Sequence, residues 1–520
     1  MDIRTTLPLA KPIAEARYPC TNADRDASRS RALAVALAVA LGLVGETHAA
    51  PSTPLADTSR TPTPAQPRGG VLRPVSNCND AGAGSLRAVA AQAVDGDGID
   101  LSSLTCSTIS VTSGSIALRD VELIGPGAAA LTIKGSGNQG RRLFDHSGSG
   151  GGLTIRDVTV QGAKYQSNAG QGGACLRSSN GPLRIHDSVF DGCLAFAPTG
   201  TNGAVRGGAI AAYGNSVVLS HVILTNNQAR SANGAALGGA LYAFGDSVLI
   251  DASTIANNSA TAVNAAAVRR GGGVFAHGAA EFWRTTLDGN LSEGGGGGAL
   301  VEGGSRLVFS TVSNNIAVGS GSGIAILGTR GSNLIADIFD STISGNEAQA
   351  STESKSGALY INSASGAMIT NSTIAGNIES NTQGIAFGAG ILFGPATGSN
   401  LTVISTIVHG NHLRDSTAGA DIGGPFGSTI AGDHNLIGVS YLHVPNDTIR
   451  FSDPLLGPLQ DNGGPTRTRM PAADSPVIDR GNALDQPFDQ REFPRVVGAA
   501  ADIGAVEAPS DVIFADGFDP

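Results

Sequence analysis

A chain of 520 residues would ordinarily divide into several globular domains. Here 73 glycines, with 4% aromatic and 15% charged residues, speak against a helical bundle, and 41% hydrophobic residues exclude intrinsic disorder. A formal net charge of −10 makes a poor surface for nucleic acid or anionic lipid and suits an exported, soluble protein.

Residues 1–49 read as a leader. Arg25, Arg29 and Arg31 precede an apolar run from Ala32 to Gly45, and Thr47-His48-Ala49 offers small residues for cleavage after Ala49. A run of about 14 residues is too short to cross a bilayer, so it reads as a signal peptide, and no transmembrane span is expected in the mature chain. Residues 50–70 form a Pro/Thr/Ser/Ala linker. Residues 71–150 are expected to hold an N-terminal cap and the first coils. Ser85 can N-cap a helix from Leu86 to Val94 whose Leu86, Val89, Ala90 and Ala93 share one face, which would cover the open edge of a strand stack. Asp95-Gly96-Asp97-Gly98-Ile99-Asp100 has the spacing of half a calcium loop. The twelfth position, where such a loop needs glutamate, is Cys106, so a tight turn is expected. Short strands follow at Thr108–Val111, Val121–Ile124, Leu131–Ile133 and Leu153–Ile155.

Residues 151–438 carry a repeat. Aligned on the last residue of Thr342-Ile343-Ser344-Gly345-Asn346, the pattern returns at Asn227, Asn258, Asn290, Asn315, Asn377 and Asn411, with Cys193 and Ala163 in the asparagine place upstream. The steps from Asn227 are 31, 32, 25, 31, 31 and 34 residues. A second landmark, Gly-Gly-Ala followed by an apolar residue, begins at Gly172, Gly207, Gly238 and Gly297, with later forms at Gly357 and Gly390. Two columns are consistently apolar and predict core: Ile185 to Ile369 eight places before the asparagine, and Phe190 to Ile374 three places before it. Five places before stand small hydroxyls, Ser188, Ser253, Thr285, Ser310, Ser341 and Ser372, suited to a bend. Six and seven places before, Asp187, His221, Arg284, Asp340, His186, Asp251 and Trp283 form a mixture that no stacked core accepts, so these are expected in solvent. One residue type recurring once per turn implies coils stacked in register about 4.8 Å apart, with the asparagine amides hydrogen-bonded in a ladder. The fold class is therefore all-β, a right-handed parallel β-helix solenoid with a short N-terminal capping helix.

The Gly-Gly-Ala-Ile and x-Ile-x-x-Asn pairs resemble the short repeats of polymorphic outer membrane proteins, with Thr or Ile where those repeats begin with Phe. The resemblance implies a right-handed β-helix displayed at a bacterial surface. Residues 439–508 resemble the C-terminal module called choice-of-anchor Q, through Asp461-Asn462-Gly463-Gly464-Pro465-Thr466, Ser475-Pro476-Val477-Ile478-Asp479-Arg480-Gly481, Asp489-Gln490-Arg491 with Pro494-Arg495, and Asp502-Ile503-Gly504-Ala505-Val506-Glu507. Such modules precede surface-anchoring tails, and residues 509–520 read as a short tail.

Cys78, Cys106, Cys175 and Cys193 remain after the leader, and an exported chain favours disulfides. Three pairings are open; the local one, Cys78 with Cys106 and Cys175 with Cys193, is the expectation. No histidine cluster accompanies them, so neither a metal nor another cofactor is expected. The polygalacturonase signature of Asn-Thr-Asp, a double Asp, Gly-His-Gly and Arg-Ile-Lys is missing, and no catalytic residue is assigned. Arg491-Glu492-Phe493-Pro494-Arg495 superficially resembles a lyase motif but is expected beyond the coils, away from any groove. His221, Asp251, Trp283 and Arg284 are the candidate binding residues, since an aromatic face with polar neighbours suits a sugar. His409 and His412, beside Asn411, are expected at a bend into the C-terminal module. The expected function is a secreted or cell-surface protein with a binding, adhesin-like or structural role, with a polysaccharide or other cell-surface ligand as partner. The alternative is a polysaccharide lyase or glycoside hydrolase acting on an acidic polysaccharide.

Overall fold

The computed structural model describes residues 70–509, apart from short stretches at 138–139, 167–170, 215, 265–266, 329–335, 350–356, 364, 381–387, 395–399, 415–418 and 426–427. The leader, nearly all of the linker and the tail from 510 onward lie outside the described residues.

The chain winds as a parallel β-helix. One turn runs through Leu183–His186, Val189–Asp191, Leu194–Ala197, Val205–Arg206 and Ile210–Tyr213, and each of these strands belongs to a different sheet. We number the sheets I, II, III, V and IV in that order along the turn. Sheets I and II each hold 13 strands, IV holds 11, III holds 9 and V only 3. Each strand pairs in parallel with its counterpart one turn on, as Ile255 with Leu287 and Val312 with Ile343. Both predicted core columns point inward, and every member is 0–1% exposed.

Two backbone devices turn the chain between sheets. The residue before each asparagine has positive φ and is glycine or asparagine, as at Gly345 (φ 71) and Asn226 (φ 55), because these residues occupy the left-handed region at least cost. The second device is six places before the asparagine. There Asp187, His221, Ala252, Arg284, Phe309, Asp340, Asn371 and Ser405 all have φ between 42 and 55. At each of these positions except His221, which Val222 follows, a Ser or Thr comes next and its hydroxyl helps hold the disfavoured conformation. Ser341 Oγ donates to the Phe339 carbonyl two residues back (2.6 Å) and accepts the Ser310 N–H of the previous turn (3.2 Å). Ser310, Ser372 and Thr406 repeat the arrangement.

The asparagine ladder forms. Asn346 Oδ1 accepts the Asn315 backbone N–H (3.1 Å) and side-chain amide (2.9 Å), and Asn346 Nδ2 donates to Asn377 Oδ1 (2.9 Å) and the Val312 carbonyl (2.9 Å). The same bonds run from Asn227 to Asn411, where a carboxylate ends the series: Asp421 Oδ1 accepts both donors of Asn411.

At the N-terminus the helix spans Leu86–Gln92 with Ser85 as N-cap and buries Leu86, Val89 and Ala90. It stops two residues short of expectation because the Val94 N–H is taken by Asp97 (3.0 Å). Asp97 also accepts from Val71 N–H and Arg73 Nε, so the acidic stretch is a turn closed on itself. Cys78 is joined to Cys106 and Cys175 to Cys193, with Cα atoms 6.5 and 5.8 Å apart.

Two expectations need correction. Asp340, placed in solvent by its column, is 1% exposed. The segment carrying Arg491–Arg495 does not lie beyond the coils. It folds back along sheet II, where Gln490 donates to Ser310 O and Thr311 Oγ1 and accepts from Thr342 Oγ1 (2.6 Å), and Ala505 N–H donates to Thr373 Oγ1 (3.0 Å). The threonine four places before the asparagine is thus the docking residue on three successive turns, and the docked segment covers Asp340.

Candidate ligand groove on the lateral face

The four residues singled out in sequence lie along the corner between sheets I and II. Asp251 and Trp283 are register partners, and Arg284 donates to both oxygens of Asp251 at 2.7 Å. Arg284 Nη1 also lies 3.6 Å from Glu492 of the docked segment. Burial alone would lower the Arg284 pKa, but the bonds to Asp251 and the nearby Glu492 outweigh it and raise it above the ordinary value. The half-buried Trp283 donates its indole N–H to Glu281 (3.0 Å). His221 is exposed, one turn away, with Nδ1 3.1 Å from Ser220 Oγ and 3.9 Å from Asp187. The structure therefore brings Asp251, Trp283 and Arg284 together and leaves His221 apart. Their chemistry is that of an ion pair tying the docked segment to the coil, with Arg284 engaged on both sides.

A concavity forms elsewhere, on the outward face of sheet IV. Strands there read as unbroken apolar runs, such as Leu241-Tyr242-Ala243 and Val274-Phe275-Ala276, because both faces are covered. The outward column, Tyr242, Phe275, Leu300, Ala325, Tyr360 and Leu392, makes a second core outside the coil. Tyr242 and Phe275 stack with ring centres 5.4 Å apart and planes 4° off parallel, and Tyr213 follows at 5.6 Å. Burial pushes the Tyr242 phenol up to about 12.

Sheet V lies alongside this column, but only as far as Arg269–Arg270. The next turn takes 25 residues from Asn290 to Asn315 instead of 31 or 32, and its connection from sheet III to sheet IV shrinks to Glu293-Gly294-Gly295-Gly296-Gly297-Gly298. Where the lateral strand stops, a groove of about 730 Å3 opens, lined by Leu300, Ala325, Leu327 and Tyr360, with Val263 and Val268 as further apolar lining. That volume is in the range that holds a small ligand or a few linked rings. Val263 and Val268 are 70% and 48% exposed. Charged pairs flank the apolar surface: Arg269 is 3.9 Å from Glu293, and Arg270 is 3.1 Å from Glu302, whose other oxygen meets His277 Nδ1 at 2.6 Å. His277 in turn stacks on Phe244 at 4.5 Å. The arrangement can stack and hydrogen-bond a ligand. Sequence columns anchored on the asparagine missed it, although the apolar triplets and the short repeat were both visible signals.

Near the N-terminus Asp120, His146 and Ser178 form a hydrogen-bonded row, with His146 Nε2 3.0 Å from Asp120 and Nδ1 2.8 Å from Ser178 Oγ. The residue types are those of a hydrolase triad. Ser178 is 1% and His146 0% exposed, and a Cβ at Gly148 would fall on Asp120 Oδ1, so the row is sealed and serves packing. Burial acts to raise the Asp120 pKa, but hydrogen bonds from His146, Gly151 and Ser149 outweigh it and hold the carboxyl well below its usual range. Among the described residues no group of three or more His, Cys, Asp or Glu is arranged to hold a metal ion. Among the same residues no helix is long and apolar enough to cross a membrane.

Residues 143–339 match a family model described as the right handed beta helix region, in agreement with the handedness expected for the crossovers. Among solved structures the chain is similar to the catalytic domain of a GH87 alpha-1,3-glucanase in complex with tetrasaccharides, at 12% identity and a TM-score of 0.25. That likeness covers 66% of this chain and 63% of the other, so the chain spans less than two thirds of that structure's length. A search of curated proteins returns no match.

Proposed function

We propose that this is a secreted or surface-displayed β-helix protein that binds an extended glycan along its lateral face, without cleaving it. The observation that carries this reading is the groove at the short turn, where the exposed Val263 and Val268 with Leu327 give apolar surface for sugar rings over a floor of buried Leu300 and Tyr360, and paired charges at Arg269 and Arg270 supply polar groups. Glu293 lies beside Arg269 and Glu302 beside Arg270, an arrangement suited to binding more than to acid–base work. The same reading includes a leader removed after Ala49, a linker over 50–70, a cap over 71–150 and the repeats over 151–438. It also includes a choice-of-anchor Q-like module over 439–508, an anchoring or sorting role for the tail, and outer-membrane-protein-like display.

The test is a polysaccharide panel, neutral and acidic, run by affinity electrophoresis and by assay for new reducing or unsaturated ends. Binding without product is expected, weakened about tenfold in Tyr360→Ala and in Val268→Glu. Val268→Glu changes an exposed side chain and leaves the outer core intact. New ends in the product assay would favour the lyase or hydrolase alternative. Undiminished binding in both variants would remove the groove from the account.

A further inference from the structure

In the turn before sheet III begins, the lateral face has a second opening of a different character. Lys164–Gln166 is the first strand of sheet III; the preceding turn goes from Thr132–Gly135 in sheet II to Phe144–Ser147 in sheet IV without one. A pocket of about 180 Å3 is left there, lined by Thr112, Gly114, Gly135, Arg141, Arg142 and Lys164 among others. Among the described residues Arg141, Arg142 and Lys164 line it and no carboxylate does, in a chain whose formal net charge is −10. Arg142 is fixed in place: only 7% of its side chain is exposed, Nε donates to Gly172 O (2.9 Å), Nη2 donates to Gln171 Oε1 (2.7 Å), and its guanidinium lies 4.0 Å from the Tyr165 ring centre. Its Nη1 is paired with Asp145 at 3.6 Å, so Arg142 shapes the wall and the cations open to a ligand are Arg141 and Lys164. Arg141 and Lys164 are exposed, and among the described residues neither meets a carboxylate. The one acid beneath the lining, Asp80, is already bonded to Arg87, to both donors of Thr112 and to Ser113 N–H.

We infer that this pocket binds a single anionic group, a carboxylate or a sulfate ester, carried by the glycan that lies in the groove. This rests on the glycan-binding reading and specifies the ligand class as an acidic polysaccharide. The volume is below the roughly 300 Å3 at which pockets begin to enclose whole small molecules, so a charged substituent enters and the ring stays outside. Both openings lie on the stretch of the turn that leads into sheet IV, the pocket between sheets II and IV at the N-terminal edge of sheet III and the groove between sheets III and IV. They are separated by four strand steps of sheet III, from Lys164 to Leu291, about 19 Å at 4.8 Å per step. An extended polymer lying parallel to the coil axis reaches both. A Cβ at Gly114 would meet Arg141 Nη1 at 2.8 Å and one at Gly135 the Ala163 backbone at 2.7 Å, so glycine allows the lining to close up at both places, and Arg141 and Lys164 are of the kind that recognise carboxylate and sulfate oxygens. Nucleic acid is the less favoured polyanion, since it needs a continuous basic track and the rest of the chain is acidic.

The test uses the full chain with Arg141→Gln and Lys164→Gln combined, both exposed positions whose change spares the core. Affinity electrophoresis against polygalacturonate, heparin, a neutral glucan and single-stranded DNA is expected to show acidic glycans preferred. The double variant should lose about tenfold or more for them and nothing for the neutral glucan. Selective loss on polygalacturonate assigns the pocket to carboxylates; selective loss on heparin assigns it to sulfates. An unchanged affinity for acidic glycans, or DNA competing as well as either, overturns the inference while the groove reading stands on the neutral glucan. Binding of no glycan overturns both.

Discussion

Replacing Asn346 with leucine tests the ladder directly. Leucine keeps the branched shape of asparagine but is bulkier, so the change opens no cavity and adds about 1–3 kcal/mol of overpacking strain to the loss of the hydrogen bonds. It strands the Asn315 backbone N–H and one Asn315 amide hydrogen, both buried, and removes a donor from the Val312 carbonyl and from Asn377 Oδ1. Asn377 Oδ1 keeps the Asn346 backbone N–H (3.0 Å), so the damage falls toward the N-terminal side. At about 1–3 kcal/mol per stranded buried group, two orphaned donors cost roughly 2–6 kcal/mol, and the apolar area gained, about 1–2 kcal/mol, is offset by the overpacking. A solenoid need not unfold as one unit, so denaturant melting is paired with hydrogen exchange read at the Asn315 amide and, as control, at the Asn227 amide three ladder steps away. The expected result is a net loss of about 2–6 kcal/mol with protection collapsing first at Asn315. A variant within about 0.5 kcal/mol of the unmodified protein, with exchange at Asn315 unchanged, would refute the claim that the ladder stabilises the coil.

Gln490→Leu should release the C-terminal segment, because it leaves Thr342 Oγ1, Thr311 Oγ1 and Thr466 Oγ1 without their shared amide; limited proteolysis of residues 453–508 is the readout, and Thr342→Val should give a milder version. The same docking should weaken as pH rises. Burial pushes Asp340 and Glu507 up to about 7, so the docked state holds protons that the released state gives up; their contribution is full below the ordinary carboxylate range and is lost as pH passes through about 7. Proteolytic release, normalised on an unfolded substrate, should therefore be faster at pH 8 than at pH 5. The N-terminal cap behaves oppositely: hydrogen bonds hold Asp80 and Asp120 below their usual range, so stability present at neutral pH is lost on acidification below about 4, seen as faster exchange at the amides of Val89 and Ala93 after correction for intrinsic rates. Reducing Cys175–Cys193, which closes an 18-residue separation, should cost about 3 kcal/mol in thermal or denaturant unfolding.

The sequence made the coil legible because its constraints repeat. Ile343 and Asn346 are each one member of a column, and stacking in register leaves no other way to read such columns. The left-handed residue before the asparagine was also visible as Gly or Asn. Its counterpart six places before was not, because Arg284 and Phe309 carry no mark of a left-handed backbone; the Ser or Thr that follows imposes the conformation. Diversity in that column therefore reflects freedom of the side chain over a fixed backbone, which is why it resembled a binding surface. The docked C-terminal segment was illegible for a different reason. Gln490 bonds to Ser310 and Thr311 across 180 and 179 residues, and a contact made once at such separation leaves no period to detect.

Repeat length located the groove more reliably than residue type did. From Asn290 to Asn315 the step falls to 25 residues, yet the ladder bonds there are 2.9 Å, the same as across the 32-residue step before it. The missing residues cannot come from sheets I and II or from the turn between them, since a deletion of one residue there would invert every side chain of the next strand. They come from the connection between sheets III and IV, a part of the turn where length can change without disturbing register. The connection from sheet IV to sheet I varies as well: Ala299 to Ser305 is a step of 6 and its register counterpart Ile324 to Ala336 a step of 12, so the turn from Asn315 to Asn346 regains 31 residues while its connection from sheet III to sheet IV stays short. The corner carrying Asp251, Trp283 and Arg284 joins sheets I and II with constant spacing, so it can change charge from turn to turn but cannot become concave. A ligand that must be enclosed has to bind on the side where the turns differ in length.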